Sequence, residues 1–376
     1  MKETHDTVVH DSQGTAVRPI PVEEFDLDKY AEYVRSRESI CRSFWGDKSG
    51  LIVHRRFRVP EVFSAGCEDM AASLSLQLSA LKTSMDYAMD VPNFLEPWYG
   101  IGTVASAFGA DYRWEGALAP AAVAPFQTVE DALAFDPSPI EKTRIGRHIV
   151  NMVEFFLEKT KGKIPLSLSD VQSPFNAAAS LVDTTAFLLA VVDAPHHVRR
   201  LMDIVVELSV EFYTLQAEMI GDLLVRPGHG FSSSRVSRGI GSSDDSSTML
   251  SPEMFAELCL PAFERFGESF GGTAYHSCGD WSEKVPRVAK IRGLTMVDGA
   301  FTRETDPDPN TAGAFRNGFG GTEIVVNARM VGDHGRIVET ARELSGRSGK
   351  LIVVTYCRTA EEQKRIYEEL HAGVFG

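Results

Sequence analysis

One histidine and two cysteines stand where they could hold a metal ion. His276 and Cys278 end one apolar run of the sequence, and Cys357 ends another much later in the chain. An imidazole and two thiolates suit zinc, and three protein ligands with one open position are typical of a catalytic zinc site. The alternative is a half-buried histidine beside two structural thiols. If the ends of the two runs meet in space, the sequence predicts a zinc site of His276, Cys278 and Cys357.

The spacing within the first run supports this hypothesis. His276 and Cys278 are two residues apart on a predicted strand, so their side chains point to the same side. The other cysteines, Cys41, Cys67 and Cys259, lie in apolar helical patterns and are expected in the core. Because five cysteines are few and odd in number, no disulfide framework is expected.

Eight strand-like runs alternate with helical stretches along the chain. This alternation predicts an α/β protein, a (β/α)₈ barrel of the TIM type with an additional helical N-terminal region. An open doubly wound sheet is the alternative, but no strand is followed by a glycine-rich phosphate-binding turn. The predicted strands are 51–57, 93–96, 164–170, 222–226, 273–278, 294–301, 322–328 and 351–357.

Three of the intervening helices have clear start signals, with first-turn prolines at Pro139, Pro195 and Pro252. Residues 1–25 are polar and irregular, which predicts a mobile N-terminal arm. Residues 26–376 are expected to form a single barrel domain.

Composition and charge restrict the partners. With 376 residues, of which 43% are hydrophobic, the chain can bury a large core. Its 38 basic and 52 acidic residues give a net charge of −14, which argues against nucleic acid and a basic membrane-binding surface. No apolar stretch approaches the roughly 20 residues of a membrane helix. We therefore expect a cytoplasmic protein without a membrane partner.

Polar side chains cluster at the carboxyl ends of the predicted strands, where the active site of a barrel lies. We expect Asp170, and Asp244 and Asp245 of a polar loop, to act as general acids or bases. The acidic pair of that loop could instead supply a fourth zinc ligand or belong to a solvated loop. The residues expected to bind substrate are Glu96, Gln172, His229, Asp298, Asn327, Arg329 and Tyr356.

The chain resembles the uroporphyrinogen decarboxylase superfamily over roughly residues 25–376. The resemblance is carried by His276-Ser-Cys278-Gly279, by the late Cys357, by Asp170-Val-Gln172-Ser-Pro174 and by the segment from Ser251 to Pro261. The most similar branch is metal-dependent and includes cobalamin-dependent methyltransferases acting on coenzyme M. Membership implies a (β/α)₈ barrel.

The resemblance also implies a reaction. In the methyltransferase branch, the residues matching His276, Cys278 and Cys357 bind zinc, which takes up a thiol that then accepts a methyl group from a methylated corrinoid. The expected cofactors are zinc and a corrinoid, either methylcobalamin or a methylated corrinoid protein. The expected partners are a small-molecule thiol and such a corrinoid protein, while the oligomeric state is left open.

Two departures from the family patterns separate the alternatives. Decarboxylases of the superfamily carry an arginine-rich glycine motif after the first strand, and the segment 51–57 lacks it. After Cys357 the chain passes almost directly into a helix, which favours an acceptor other than coenzyme M. A lyase acting on a carboxylated substrate, using Arg55, Arg56 and Asp170, is the second hypothesis. A non-catalytic corrinoid- or metal-binding protein is the third.

Overall fold

A parallel sheet forms the centre of the molecule. The computed structural model describes residues 14–116, 118–346 and 349–374. Six of the strands in these ranges pair in parallel in the order β1-β8-β7-β6-β5-β4, and β2 and β3 form a separate antiparallel pair. The strands are β1 (Gly50–Arg55), β2 (Tyr112–Arg113), β3 (Ala121–Ala122), β4 (Ile240–Ser243), β5 (Thr273–His276), β6 (Leu294–Ala300), β7 (Val325–Arg329) and β8 (Lys350–Thr355).

Single bridges continue the parallel pairing around the barrel. Leu95 pairs with Leu166, Leu166 with Leu224, and Gln172 with Ser243. These contacts put the segments around residues 95 and 166 in the second and third strand positions. The predicted TIM-type α/β fold is confirmed.

Side chains close the seam between β1 and the segment around residue 93. The Asn93 amide accepts a hydrogen bond from Phe57 N at 3.0 Å and donates one to the Arg55 carbonyl at 3.0 Å. The Asp90 carboxylate accepts one from Val53 N at 2.8 Å. One backbone hydrogen bond, from Asp90 N to the Val53 carbonyl at 2.8 Å, also joins the two segments, and these two side chains satisfy further backbone groups of β1 that a neighbouring strand would otherwise pair.

The fourth strand differs from the prediction. Residues 222–226 form part of a 3₁₀ turn, Gly221–Leu223, and the isolated bridges of Leu224 and Arg226, whereas the regular strand is β4. The β4 sequence contains glycine and serine, which are residue types typical of loops. Gly241 is needed because a Cβ there would lie 2.3 Å from the Phe231 ring.

Helices surround the sheet, and no helix of the described ranges is long and apolar enough to cross a bilayer. The helices are α1 (Leu27–Gly46), α2 (Met70–Ser84), α3 (Val129–Ala134), α4 (Arg144–Lys159), α5 (Pro174–Ala179), α6 (Thr184–Asp193), α7 (Pro195–Ile220), α8 (Pro252–Leu258), α9 (Leu260–Glu268), α10 (Val285–Val288), α11 (Ala312–Phe319), α12 (His334–Ser345) and α13 (Ala360–Gly373).

The predicted helix starts at Pro195 and Pro252 are confirmed, but the start at Pro139 is wrong. Ile140–Lys142 form a 3₁₀ turn, and α4 begins at Arg144 with Thr143 as its cap. The Thr143 hydroxyl accepts a hydrogen bond from Gly146 N at 2.9 Å, so it satisfies a free amide of the first turn of α4.

The N-terminal region packs against the barrel. Phe44 of α1 lies in the cluster that fills the barrel interior, and Lys350 at the start of β8 donates to the Trp45 carbonyl at 2.9 Å. Helix α1 therefore covers the amino ends of the strands. Of the predicted arm 1–25, residues 1–13 lie outside the described ranges. Within residues 14–25, Thr15 N donates to the Arg58 carbonyl at 2.8 Å, and Phe25 is buried.

Strand alternation separates an inner from an outer core. On β8 and the residues after it, Ile352, Val354 and Tyr356 join the inner cluster, whereas Val353 and Cys357 join the cluster that includes the helices. Successive strand residues point to opposite faces. Whether a polar residue stands at an odd or an even position of its strand therefore determines whether its side chain reaches the barrel mouth.

Candidate metal and substrate site

His276 ends β5 with its ring held by a buried carboxylate. His276 Nδ1 lies 2.6 Å from Oδ2 of Asp298, its paired residue on β6. The other ring nitrogen, Nε2, lies 3.6 Å from Cys278 Sγ and 3.8 Å from Asp245 Oδ1. A carboxylate on one imidazole nitrogen fixes the ring and its tautomer, as for histidines that bind metals through the other nitrogen.

Asp245, His276 and Cys278 form a group that could hold a metal ion. Their ligand atoms all lie within 4.8 Å of one another. The Asp245 carboxylate also accepts a hydrogen bond from Cys278 N at 2.7 Å, which fixes the turn. Cys278 is exposed, so the group opens towards solvent. One nitrogen, one oxygen and one sulfur donor fit zinc.

Nearby groups change the charge of His276. Burial alone would lower its pKa, but the hydrogen bonds to Asp298 and Cys278 outweigh burial and raise it to about 10. Without a metal the imidazole is therefore protonated at neutral pH. Metal binding through Nε2 must displace that proton.

Asp298 also holds the polar groups of the next strand. Arg329 Nε donates to Asp298 Oδ2 at 2.9 Å, and the Asn327 amide donates to Oδ1. Burial opposes ionisation of Asp298, but Arg329 and His276 hold its pKa below the ordinary value. The carboxylate therefore stays charged and keeps His276 in place.

The structure does not bring Cys357 to the group around His276. Its thiol lies instead with His334 and Glu362, again with ligand atoms within 4.8 Å of one another. The reason is the parity of the last strand: Tyr356 points into the barrel, so Cys357 faces the helices. Burial raises the pKa of the Cys357 thiol to about 12. In this geometry Asp245 stands in the place expected for the second cysteine.

Three buried polar groups that make no hydrogen bond in the described part of the chain converge in the barrel, and one of them, Arg56 Nη2, lies 3.6 Å from Glu96 Oε1. Arg56 Nη2, Arg329 Nη2 and the Tyr356 hydroxyl have no hydrogen-bond partner among the described residues. Arg56 and Arg329 each interact electrostatically with Tyr356, so the three groups are neighbours. Two guanidinium groups and one hydroxyl form a site suited to an anionic group.

Glu96, His229 and Asp170 form a chain of ionisable groups at the same end. Glu96 Oε2 lies 2.5 Å from His229 Nδ1, and Asp170 Oδ1 lies 3.9 Å from Nε2. Burial opposes ionisation of Glu96, but His229 and Arg56 lower its pKa to about 2. Burial raises the pKa of Asp170, whose carboxylate accepts from Gln172 at 2.5 Å. Two carboxylates whose pKa values are shifted apart across a histidine suit proton transfer.

Asp244 and Asp245 are neighbours with different surroundings. Asp244 is fully buried and accepts a hydrogen bond from the Ser173 hydroxyl, and burial raises its pKa to about 7. Asp245 is half exposed and faces His276. Only Asp245 therefore lies in the metal group.

Sequence reasoning missed two residues near the site. Arg58 lies with its guanidinium 5.0 Å from the Phe63 ring, and burial lowers its pKa to about 10. Asp306 accepts a hydrogen bond from Gly279 N at 2.9 Å and so fixes the loop after Cys278. In the sequence, only the position of Arg58 just after the first predicted strand indicated that it could lie near the site. Nothing in the sequence indicated this for Asp306.

Comparisons with known proteins bear on this geometry. The model of the uroporphyrinogen decarboxylase (URO-D) family matches residues 93–229. No curated protein matches the chain. Among solved structures, the chain is similar to a methyltransferase from Methanosarcina mazei, with a TM-score of 0.61 and 15% identity over 90% of this chain and 98% of the other. At that identity the likeness shows the fold. The family match over residues 93–229 agrees with the resemblance to the uroporphyrinogen decarboxylase superfamily that the sequence motifs indicated.

Proposed function

We propose that this chain is a methyltransferase that transfers a methyl group from a methylated corrinoid to a thiol activated by zinc, with His276, Cys278 and Asp245 as the zinc ligands. The observation that carries the proposal is the group itself: three donors of different chemistry within 4.8 Å, with His276 oriented by Asp298. The similarity to a solved methyltransferase supports the reaction class.

The residues present have distinct roles in this reaction. Zinc, when bound, supplies a Lewis acid that makes an acceptor thiol easier to deprotonate. Asp298 holds His276 with Nε2 free for the metal, and exposed Cys278 leaves the open side accessible to a large donor. Asp170 interacts electrostatically with Asp245, so the Glu96–His229–Asp170 chain borders the metal group and can accept the proton of the acceptor.

The acceptor carries an anionic group in this proposal. The Nη2 atoms of Arg56 and Arg329 and the Tyr356 hydroxyl are buried and make no hydrogen bond among the described residues, which costs free energy unless a ligand satisfies them; Arg56 Nη2 has only an ion pair with Glu96 Oε1 at 3.6 Å. Asp298 contacts both Arg329 and His276, so one carboxylate links the anion site to the metal group. An anionic thiol could therefore occupy both sites at once.

The test combines metal analysis with turnover. Demethylation of methylcobalamin is followed spectrally with thiols of matched length that end in a carboxylate, a sulfonate or a hydroxyl. We expect zinc-dependent turnover and a preference for the anionic thiols. Cys278→Ala should lose the zinc of this site and the activity, while Cys67→Ala, at a buried cysteine elsewhere, should keep both. Full activity in zinc-free Cys278→Ala protein would refute the proposal.

A lyase acting on a carboxylated substrate is the second candidate. The Glu96–His229–Asp170 chain beside Arg56 favours it, because a carboxylate held by Arg56 would lie near groups able to transfer protons. Arg55, by contrast, donates to the Cys357 carbonyl at 2.7 Å, on the helix side. Carbon dioxide release by metal-free enzyme, abolished in Arg56→Met, would favour this candidate.

A further inference from the structure

A second group of potential metal ligands lies on the outer side of the barrel. Cys357 follows β8, His334 is the first residue of α12, and Glu362 lies in the first turn of α13. Their ligand atoms lie within 4.8 Å of one another, and His334 Nε2 is 3.4 Å from Glu362 Oε1. Three elements distant in sequence thus bring an imidazole, a thiol and a carboxylate together.

Neighbouring groups position these ligands. Glu362 Oε2 accepts a hydrogen bond from Arg358 N at 3.0 Å, which leaves Oε1 directed to His334. The Cys357 carbonyl accepts from Arg55 Nε at 2.7 Å, which holds the backbone that carries the thiol. Such outer contacts orient the ligands of metal sites.

The group is accessible but not freely exposed. Its side chains are 17% exposed for His334 and 36% for Glu362, and Cys357 is buried. A cleft runs beside it, and the residues lining that cleft include Met330, Gly332, Ile337 and Cys357. An ion can enter through the cleft and be partly shielded from water.

An ordinary surface ion pair would look different. His197 and Glu130 form such a pair at 2.6 Å, and they belong to no three-ligand group in the ranges that the structure covers. A half-exposed pair of this kind contributes little on its own. At His334 and Glu362, a thiol completes the donor set that zinc prefers.

We propose that His334, Cys357 and Glu362 form a second zinc site, separate from the group at the barrel mouth. It does not rest on the proposed methyl transfer. The site links β8 to α12 and α13, so an ion there ties the C-terminal helices to the barrel. Cys357 then serves the outer site and not the mouth.

The experiment counts metal ions in matched variants. Zinc per chain is measured, and cobalt(II) is substituted so that thiolate-to-cobalt charge-transfer absorbance reports each cysteine ligand. We expect two ions per chain in the native protein, one in Cys278→Ser, one in Cys357→Ser and none in the double variant. His334→Gln should weaken the outer site, while the control His197→Gln should keep both ions.

Three outcomes would overturn the proposal. One is a single ion lost equally on replacing Cys278 or Cys357, since that shows one shared site. Another is two ions retained in Cys357→Ser. If that variant does not fold, Glu362→Gln replaces it, and unchanged outer-site affinity there also contradicts the proposal. Loss of the mouth ion alone would count against the proposed function but leave this site standing.

Discussion

Replacing Asp298 with asparagine tests the link between the buried carboxylate and the metal group. Asp298→Asn keeps the size of the side chain but removes the charge that holds His276 Nδ1 at 2.6 Å and Arg329 Nε at 2.9 Å. Two consequences follow, one for metal affinity and one for folding. They can be measured separately.

The magnitudes follow from burial. Loss of an outer carboxylate partner weakens metal binding by about 10- to 100-fold, or roughly 1.4 to 2.8 kcal/mol. Asp298 is 1% exposed, so its loss leaves the Arg329 cation buried and unpaired. Breaking a buried ion pair on one side lowers the free energy of unfolding by about 3–5 kcal/mol.

The assay measures zinc affinity by competition with a chelator and stability by urea unfolding. A His334→Gln background limits binding to the mouth site. Adding Arg329→Met to Asp298→Asn should recover part of the stability, because no unpaired cation remains, but zinc affinity should stay low. Asp90→Asn is the control, since Asp90 is a buried carboxylate 2.9 Å from His371 Nε2. It should lose stability without losing zinc affinity. Unchanged zinc affinity in Asp298→Asn would refute the reasoning.

Two further predictions concern folding. His229 and Arg56 depress the pKa of Glu96 from 4.5 to about 2, so its charge adds stability above pH 4.5 that is lost as pH falls towards 2. In Glu96→Gln the free energy of unfolding in urea should therefore fall less between about pH 6 and pH 2 than in the native protein. The same fall in both proteins would contradict the pairing of Glu96 with His229 and Arg56. Asn93→Leu should lower the free energy of unfolding by about 2–4 kcal/mol, because two buried backbone groups lose their partners. The control is the same substitution at an exposed asparagine, Asn151→Leu. Equal stability of the two variants would argue against a role of the Asn93 side chain in closing the seam.

The fold was predictable where periodic patterns are strong. Eight alternating runs with polar residues at their carboxyl ends indicated the barrel and its active end. The fourth strand was not predictable, because Gly241 and its serine neighbours have low strand propensity. Tertiary packing under the Phe231 ring selects them instead.

The site was predictable only in part. The spacing of His276 and Cys278 placed both on one side of a strand, and the structure brings them together with Asp245. The orientation of Cys357 depends on whether odd or even positions of β8 face inward. An apolar run such as Lys350–Thr355, buried on both faces, does not reveal this. The same alternation places Arg55 and Arg56 on opposite sides: Arg55 contacts the Cys357 carbonyl on the helix side, whereas Arg56 pairs with Glu96 in the barrel.

The seam beside β1 has a consequence for how sequence variation is tolerated. Elsewhere in the sheet, closure rests on backbone hydrogen bonds that almost any residue can make. At the seam a backbone hydrogen bond from Asp90 N to the Val53 carbonyl is joined by bonds that depend on the identities of Asn93 and Asp90, because their side chains supply them. Mutational tolerance around the barrel is therefore uneven, and substitutions at these two positions act on the closure of the barrel itself.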